Sequence, residues 1–113
     1  SAKGGAWTKK SPAGVTSFSV DTLGYSAIYT TGTTVGLELN NSYFPALPAG
    51  VTATSVGLCY SNGYYGYFLG SDHYLYQSAK GGAWTKKSPA GVTSFSVDTL
   101  GYSAIYALSP SSC

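Results

Sequence analysis

Short segments rich in aromatic and β-branched residues, separated by polar and glycine-containing turns, run along most of this chain and read as strands. No apolar pattern at helical spacing runs beyond two turns. Between residues 48 and 88 the pattern predicts four short strands: Thr52–Tyr60, Tyr64–Leu69, His73–Ser78 and Ala83–Lys87. The turn signals Ser61-Asn62-Gly63, Gly70-Ser71-Asp72 and Lys80-Gly81-Gly82 separate them. Between residues 12 and 47 the same reasoning predicts Val15–Thr22, Tyr25–Thr30, Thr34–Leu39 and Ser42–Leu47, with glycines between the first of them. Aromatic and β-branched residues fill these segments, as strand propensity prefers.

The sequence repeats at longer range. Residues 1–29 and residues 78–106 are identical at all 29 positions, an offset of 77. Duplication, permutation or design produces such a match; chance does not. Beneath it lies a shorter repeat. Pro-Ala-Gly-Val-Thr occurs at 12–16, 48–52 and 89–93, dividing the long period into two units of unequal length near 40 residues. Repeated units of this size, each with four strands, are the signature of β-propeller blades. A single β-sandwich or a solenoid are the competing all-β readings.

As blades, residues 1–11 form the outer strand of a split blade, 12–47 and 48–88 two blades, 89–106 the inner strands of another split blade, and 107–113 a tail. That is about two and a half blades, while a propeller needs at least about four to close. The expectation is a homo-oligomer in which several chains complete one ring, since exposed strand edges recruit other chains and the matching ends compete for equivalent places.

Composition narrows the function. The 113 residues include no arginine, only 9% are charged, and the net charge is +2. That is a poor surface for replacing phosphate counterions, so nucleic acid is not expected as a partner. With 43% hydrophobic and 15% aromatic residues the chain is not disordered in composition. It holds no apolar run near the roughly 18 residues of a membrane helix. The first residues carry no signal-peptide pattern and no methionine occurs, which suggests a processed product or a piece of a larger chain. The richness in Tyr, Ser, Thr and Gly fits a secreted, extracellular protein. Asn40-Asn41-Ser42 is a glycosylation sequon at Asn40, and Cys59 and Cys113 are compatible with one disulfide without requiring it.

Catalytic chemistry finds little to use, and no enzyme is expected. His73 is the one histidine, and its neighbour Asp72 points to the opposite face if both lie in a strand. The acids are Asp21, Glu38, Asp72 and Asp98, the last a copy of the first, so only three distinct acids are on offer for the spaced carboxylate pair of a glycosidase. No metal-ligand spacing and no phosphate-cradling glycine loop is present, so neither metal nor cofactor is implied.

Binding is better served. Of eleven tyrosines, Tyr64, Tyr65, Tyr67, Tyr74 and Tyr76 fall within thirteen residues. They cannot all share one strand face, so one set is expected in the core and the other on a surface. Exposed rings stack on the apolar faces of sugars while nearby polar groups bond their hydroxyls. Packing between sheets is the plainer role for any single tyrosine. Trp84, in Gly81-Gly82-Ala83-Trp84-Thr85-Lys86-Lys87, and its copy Trp7 are either plugs between blades or stacking platforms.

The run Tyr67-Phe68-Leu69-Gly70-Ser71-Asp72-His73-Tyr74-Leu75-Tyr76-Gln77, followed by Gly81-Gly82-Ala83-Trp84-Thr85, resembles blades of tachylectin- and tectonin-like propeller lectins. It is also similar to two-blade fucose lectins that trimerise into rings. The fucose family clamps its sugar with arginine and glutamate beside tryptophan, whereas this chain has no arginine and only Glu38. The resemblance implies a glycan-binding lectin with pockets between blades. Its candidate sugar-binding residues are Trp7 and Trp84 as platforms, with Asn62, Asp72, His73, Tyr74 and Tyr76 as the polar rim. The other reading is a structural, self-assembling protein that polymerises by strand exchange.

Overall fold

The computed structural model describes residues 3–21, 26–60, 62–98 and 103–108. Among them the chain is all-β, without a helix. The strands are β1 (Ser17–Asp21), β2 (Ser26–Thr30), β3 (Val35–Leu37), β4 (Ala53–Tyr60), β5 (Tyr64–Gly70), β6 (Leu75–Ala79), β7 (Thr85–Lys86), β8 (Val92–Asp98) and β9 (Ser103–Leu108). They form a three-stranded sheet β1-β2-β3, a four-stranded sheet β4-β5-β6-β7 and a hairpin β8-β9, all antiparallel between sequence neighbours.

Local sequence explains the turns. Lys80 and Gly81 both take positive φ, 53° and 80°, as a tight two-residue hairpin between β6 and the segment leading to β7 requires. The repeat copy does the same, with Lys3 at 51° and Gly4 at 79°.

The residues from 42 to 47 depart from the expected fourth strand of the first unit and form turns and irregular backbone. Pro45 and Pro48 have no N–H to give a ladder, and Asn40 Oδ1 takes the Ser42 N–H at 3.0 Å, a local bond that competes with strand pairing. Phe44 from this loop is buried and covers Gly66 of β5, where an added Cβ would stand 2.5 Å from the Phe44 ring. The three-stranded sheet is therefore capped by a loop. The segment 3–11, expected as an outer strand, forms no strand, and β7 is two residues long.

The four-stranded sheet is covered on both faces. On one, Val56, Leu58, Phe68 and Tyr76 pack against Ile28, Leu37 and Phe44 of the first unit. On the other, Cys59, Tyr67 and Leu75 are buried, with Phe95 and Val97 of β8 packed against them. The step from sheet to sheet recurs in the backbone. Ala53 N–H donates to Gly32 C=O at 2.8 Å, joining β4 to the β2–β3 turn. Val92 N–H donates to His73 C=O at 2.9 Å, joining β8 to the β5–β6 turn. The first strands of the three units, through Ser19–Val20, Val56–Leu58 and Phe95–Val97, line one open cleft of about 270 Å³.

Candidate functional site

The turn between β5 and β6 gathers several polar groups. His73 N–H donates to Gly70 C=O at 2.9 Å, and Gly70 N–H donates to Tyr74 C=O at 2.9 Å, closing a tight loop around Ser71 and Asp72. His73 sits at φ 65° with its side chain exposed. A side chain at Gly70 would collide with Asp72 Oδ1, so glycine lets the carboxylate fold back over the strand.

Both oxygens of that carboxylate are engaged. Asp72 Oδ1 accepts the Tyr74 N–H at 3.3 Å, and Oδ2 accepts the Tyr76 hydroxyl at 2.6 Å. Burial, and then the hydrogen bond to Asp72, pushes the Tyr76 phenol up to about 12. The Tyr76 ring stacks on Phe68 with centroids 4.8 Å apart. Of the residues proposed for a polar rim, Tyr76 is thus a core residue with its hydroxyl bonded inside the protein. Tyr74 is half-buried, and Lys86 Nζ lies 4.0 Å from its ring centroid, a cation–π contact.

Asp72, His73, Tyr74 and Tyr76 therefore come together at one end of the four-stranded sheet. Asn62 does not join them. It sits at φ 55° in the β4–β5 turn, at the other end of β5, roughly 20 Å away at about 3.3 Å per strand residue. Lys86 joins the cluster instead. It was legible in principle: folding the β6–β7 hairpin about Gly81 sets Lys86 opposite Tyr76 and diagonal to Tyr74. Ser88, whose Oγ accepts the Leu75 N–H at 2.9 Å, carried no such signal.

Comparison with known protein families, curated proteins and solved structures finds no match.

The two tryptophans occupy opposite environments. Trp84 lies between the units: its indole N–H donates to Pro45 C=O at 3.0 Å, and its ring meets Phe44 at 5.4 Å and Phe68 edge-on at 4.8 Å. With the N–H engaged and two aromatic contacts made, Trp84 ties the 42–47 loop to the four-stranded sheet. Trp7 is 88% exposed. Asn40 is exposed in its turn, with its Oδ1 on the Ser42 N–H. Cys59 is buried under Phe95 and Val97, and Cys113 of the suggested disulfide lies outside the described residues. Among the described residues no group of His, Cys, Asp or Glu is arranged to hold a metal, and no helix is long and apolar enough to cross a membrane.

Proposed function

We propose that the chain is a carbohydrate-binding protein, a secreted lectin whose sheets are propeller blades completed into a ring by further copies of the chain. The observation that carries the sugar-binding reading is the cluster at the β5–β6 turn. It gathers an aromatic ring (Tyr74), an ammonium (Lys86), a carboxylate (Asp72) and an exposed imidazole (His73) at one sheet end. Sugars offer an apolar ring face beside hydroxyls that donate and accept, and this mixture suits them. The exposed indole of Trp7 adds a second surface for stacking.

Two features support the blade arrangement: the sheet-to-sheet backbone step that recurs at Ala53 and Val92, and the first strands of all three units lining one cleft. Several equivalent pockets on one ring would raise avidity above that of a single weak site.

A glycan array tests the reading, with His73→Ala and Lys86→Ala beside the wild type. Binding to a defined sugar class, lost in both variants while the fold is kept, is the expected result. No binding to any glycan overturns it. The second reading, a self-assembling structural protein, is favoured by one observation, the exposed Phe18 and Val20 on β1. Electron microscopy separates the two: closed rings accord with the lectin, open filaments with the structural protein.

A further inference from the structure

The exact repeat places identical side chains in two settings. Val92, Phe95 and Val97 of β8 are the copies of Val15, Phe18 and Val20 at and before β1. Val92 is fully buried, while Val15 is 37% exposed. Phe95 and Val97 pack on the four-stranded sheet, while Phe18 is 67% and Val20 59% exposed. The sequence is the same; only the neighbouring sheet differs.

What the covered copy sits on is well defined. Gly57 faces β8 so closely that a Cβ there would stand 2.6 Å from Val97 Cγ2 and 2.9 Å from Phe95 Cε2. The equivalent small residue of the first unit is Ser19, which pairs with Ile28 and shares its face. That face is covered by the next sheet's Val56 and Leu58, and Ile28 is fully buried. In the third unit the small residue is Ser96, paired with Ile105 as Ser19 is paired with Ile28. Ser96 is exposed. Each internal junction therefore sets a bulky apolar pair over a small residue. Among the described residues, one further such pair, Phe18 and Val20, and one further such small position, Ser96, are exposed.

We propose that the chain binds a second copy of itself head to tail, with Phe18 and Val20 of one copy seated over Ser96 on the β8–β9 face of the next. The occupant follows from the repeat: an identical pair is already covered at such a face within the chain. The contact is heterologous, joining two different surfaces, so it builds a closed ring if successive rotations close and a filament if they do not. The inference rests on the multi-chain part of the reading above and is independent of sugar binding.

Sedimentation equilibrium of the 113-residue chain, without any glycan, tests it. The wild type is expected at a multiple of its 11.7 kDa chain mass. A Phe18→Asp/Val20→Asp double variant lacks the apolar pair, and Ser96→Lys blocks the position it fills. All three altered side chains are exposed in the single chain, so both proteins should keep the fold and sediment as single chains. Mixed in equal amounts, they retain one good surface of each kind and should form a two-chain complex. A wild type that sediments at the mass of one chain overturns the proposal, as does either variant alone keeping the wild-type mass. Single-chain variants whose mixture stays single-chain overturn it too. Since no glycan enters, loss of sugar binding with intact assembly bears on the lectin reading alone.

Discussion

Tyr76 donates its hydroxyl to Asp72 across 2.6 Å while its ring lies flat on Phe68. The protonated phenol is the form this arrangement favours, for burial and the carboxylate both oppose a phenolate. With its pKa pushed up to about 12 from an ordinary 10.0, Tyr76 contributes stability that is fully present below pH 10 and lost as pH rises through 12. Burial acts in the same direction on Tyr29, and on Tyr67, where the Gln77 hydrogen bond opposes it. Tyrosinate absorbance against pH should therefore show a late-titrating class, diminished in Tyr76→Phe. Asp72→Asn should move the Tyr76 midpoint part of the way down, because burial, the larger cause, stays. A titration with all phenols at the ordinary value would contradict this.

Trp84 and Trp7 should respond oppositely to truncation. Trp84→Ala removes a ring packed on Phe44 and Phe68 and leaves the Pro45 carbonyl without its donor. For a half-buried indole the cost should fall near the low end of the core range, about 3 kcal/mol. Trp7→Ala removes an 88% exposed side chain and should change the stability of the single chain by less than about 0.5 kcal/mol. Urea denaturation measures both. Emission gives a second check: the chain with Trp84→Phe, emitting from Trp7 alone, should be red-shifted relative to Trp7→Phe as long as the chain is unassociated. Equal emission maxima would mean that the two copies share one environment.

This contrast shows where the sequence was readable. Aromatic and β-branched content and turn residues located the four strands between 48 and 88 within two residues of their ends, because Asn62-Gly63 and Lys80-Gly81 supply the positive φ that those turns need. The loop at 42–47 was not legible as a loop. Its Tyr43-Phe44 pair has strand character, and only Pro45, Pro48 and the bond from Ser42 to Asn40 turn the balance. At the candidate site, the turn at Gly70-Ser71-Asp72 was legible from its residues, but His73, read as the first residue of the next strand, lies in that turn at φ 65°. That Tyr76 would bury its hydroxyl on Asp72 was not, because this depends on which strand face meets Phe44 and Ile28. The two fates of Trp7 and Trp84 lie beyond any local reading, since their sequences are identical and tertiary contacts alone separate them.

Gly57 and Gly66 each mark a close approach of a neighbouring element, and they offer separate handles on the two faces of one sheet. Gly57→Ala places a methyl against the γ-methyl of Val97 and the edge of Phe95, which belong to a packed strand. Gly66→Ala meets Phe44 of the loop at 2.5 Å and Ile28 Cδ1 at 3.2 Å. Overpacking of this kind costs typically about 1–3 kcal/mol, relieved by moving the weaker partner. The weaker partner at Gly57 is the β8–β9 hairpin, a two-stranded sheet against a four-stranded one. Hydrogen exchange should therefore quicken at β8 and β9 in Gly57→Ala while β5 and β6 keep their protection. In Gly66→Ala the quickening should fall on residues 40–47 instead, including the Tyr43 amide that donates to Asn40 C=O at 3.0 Å. If both variants lost protection uniformly, the sheets would be melting as one unit, and the separate junctions inferred from the packing would have to be given up.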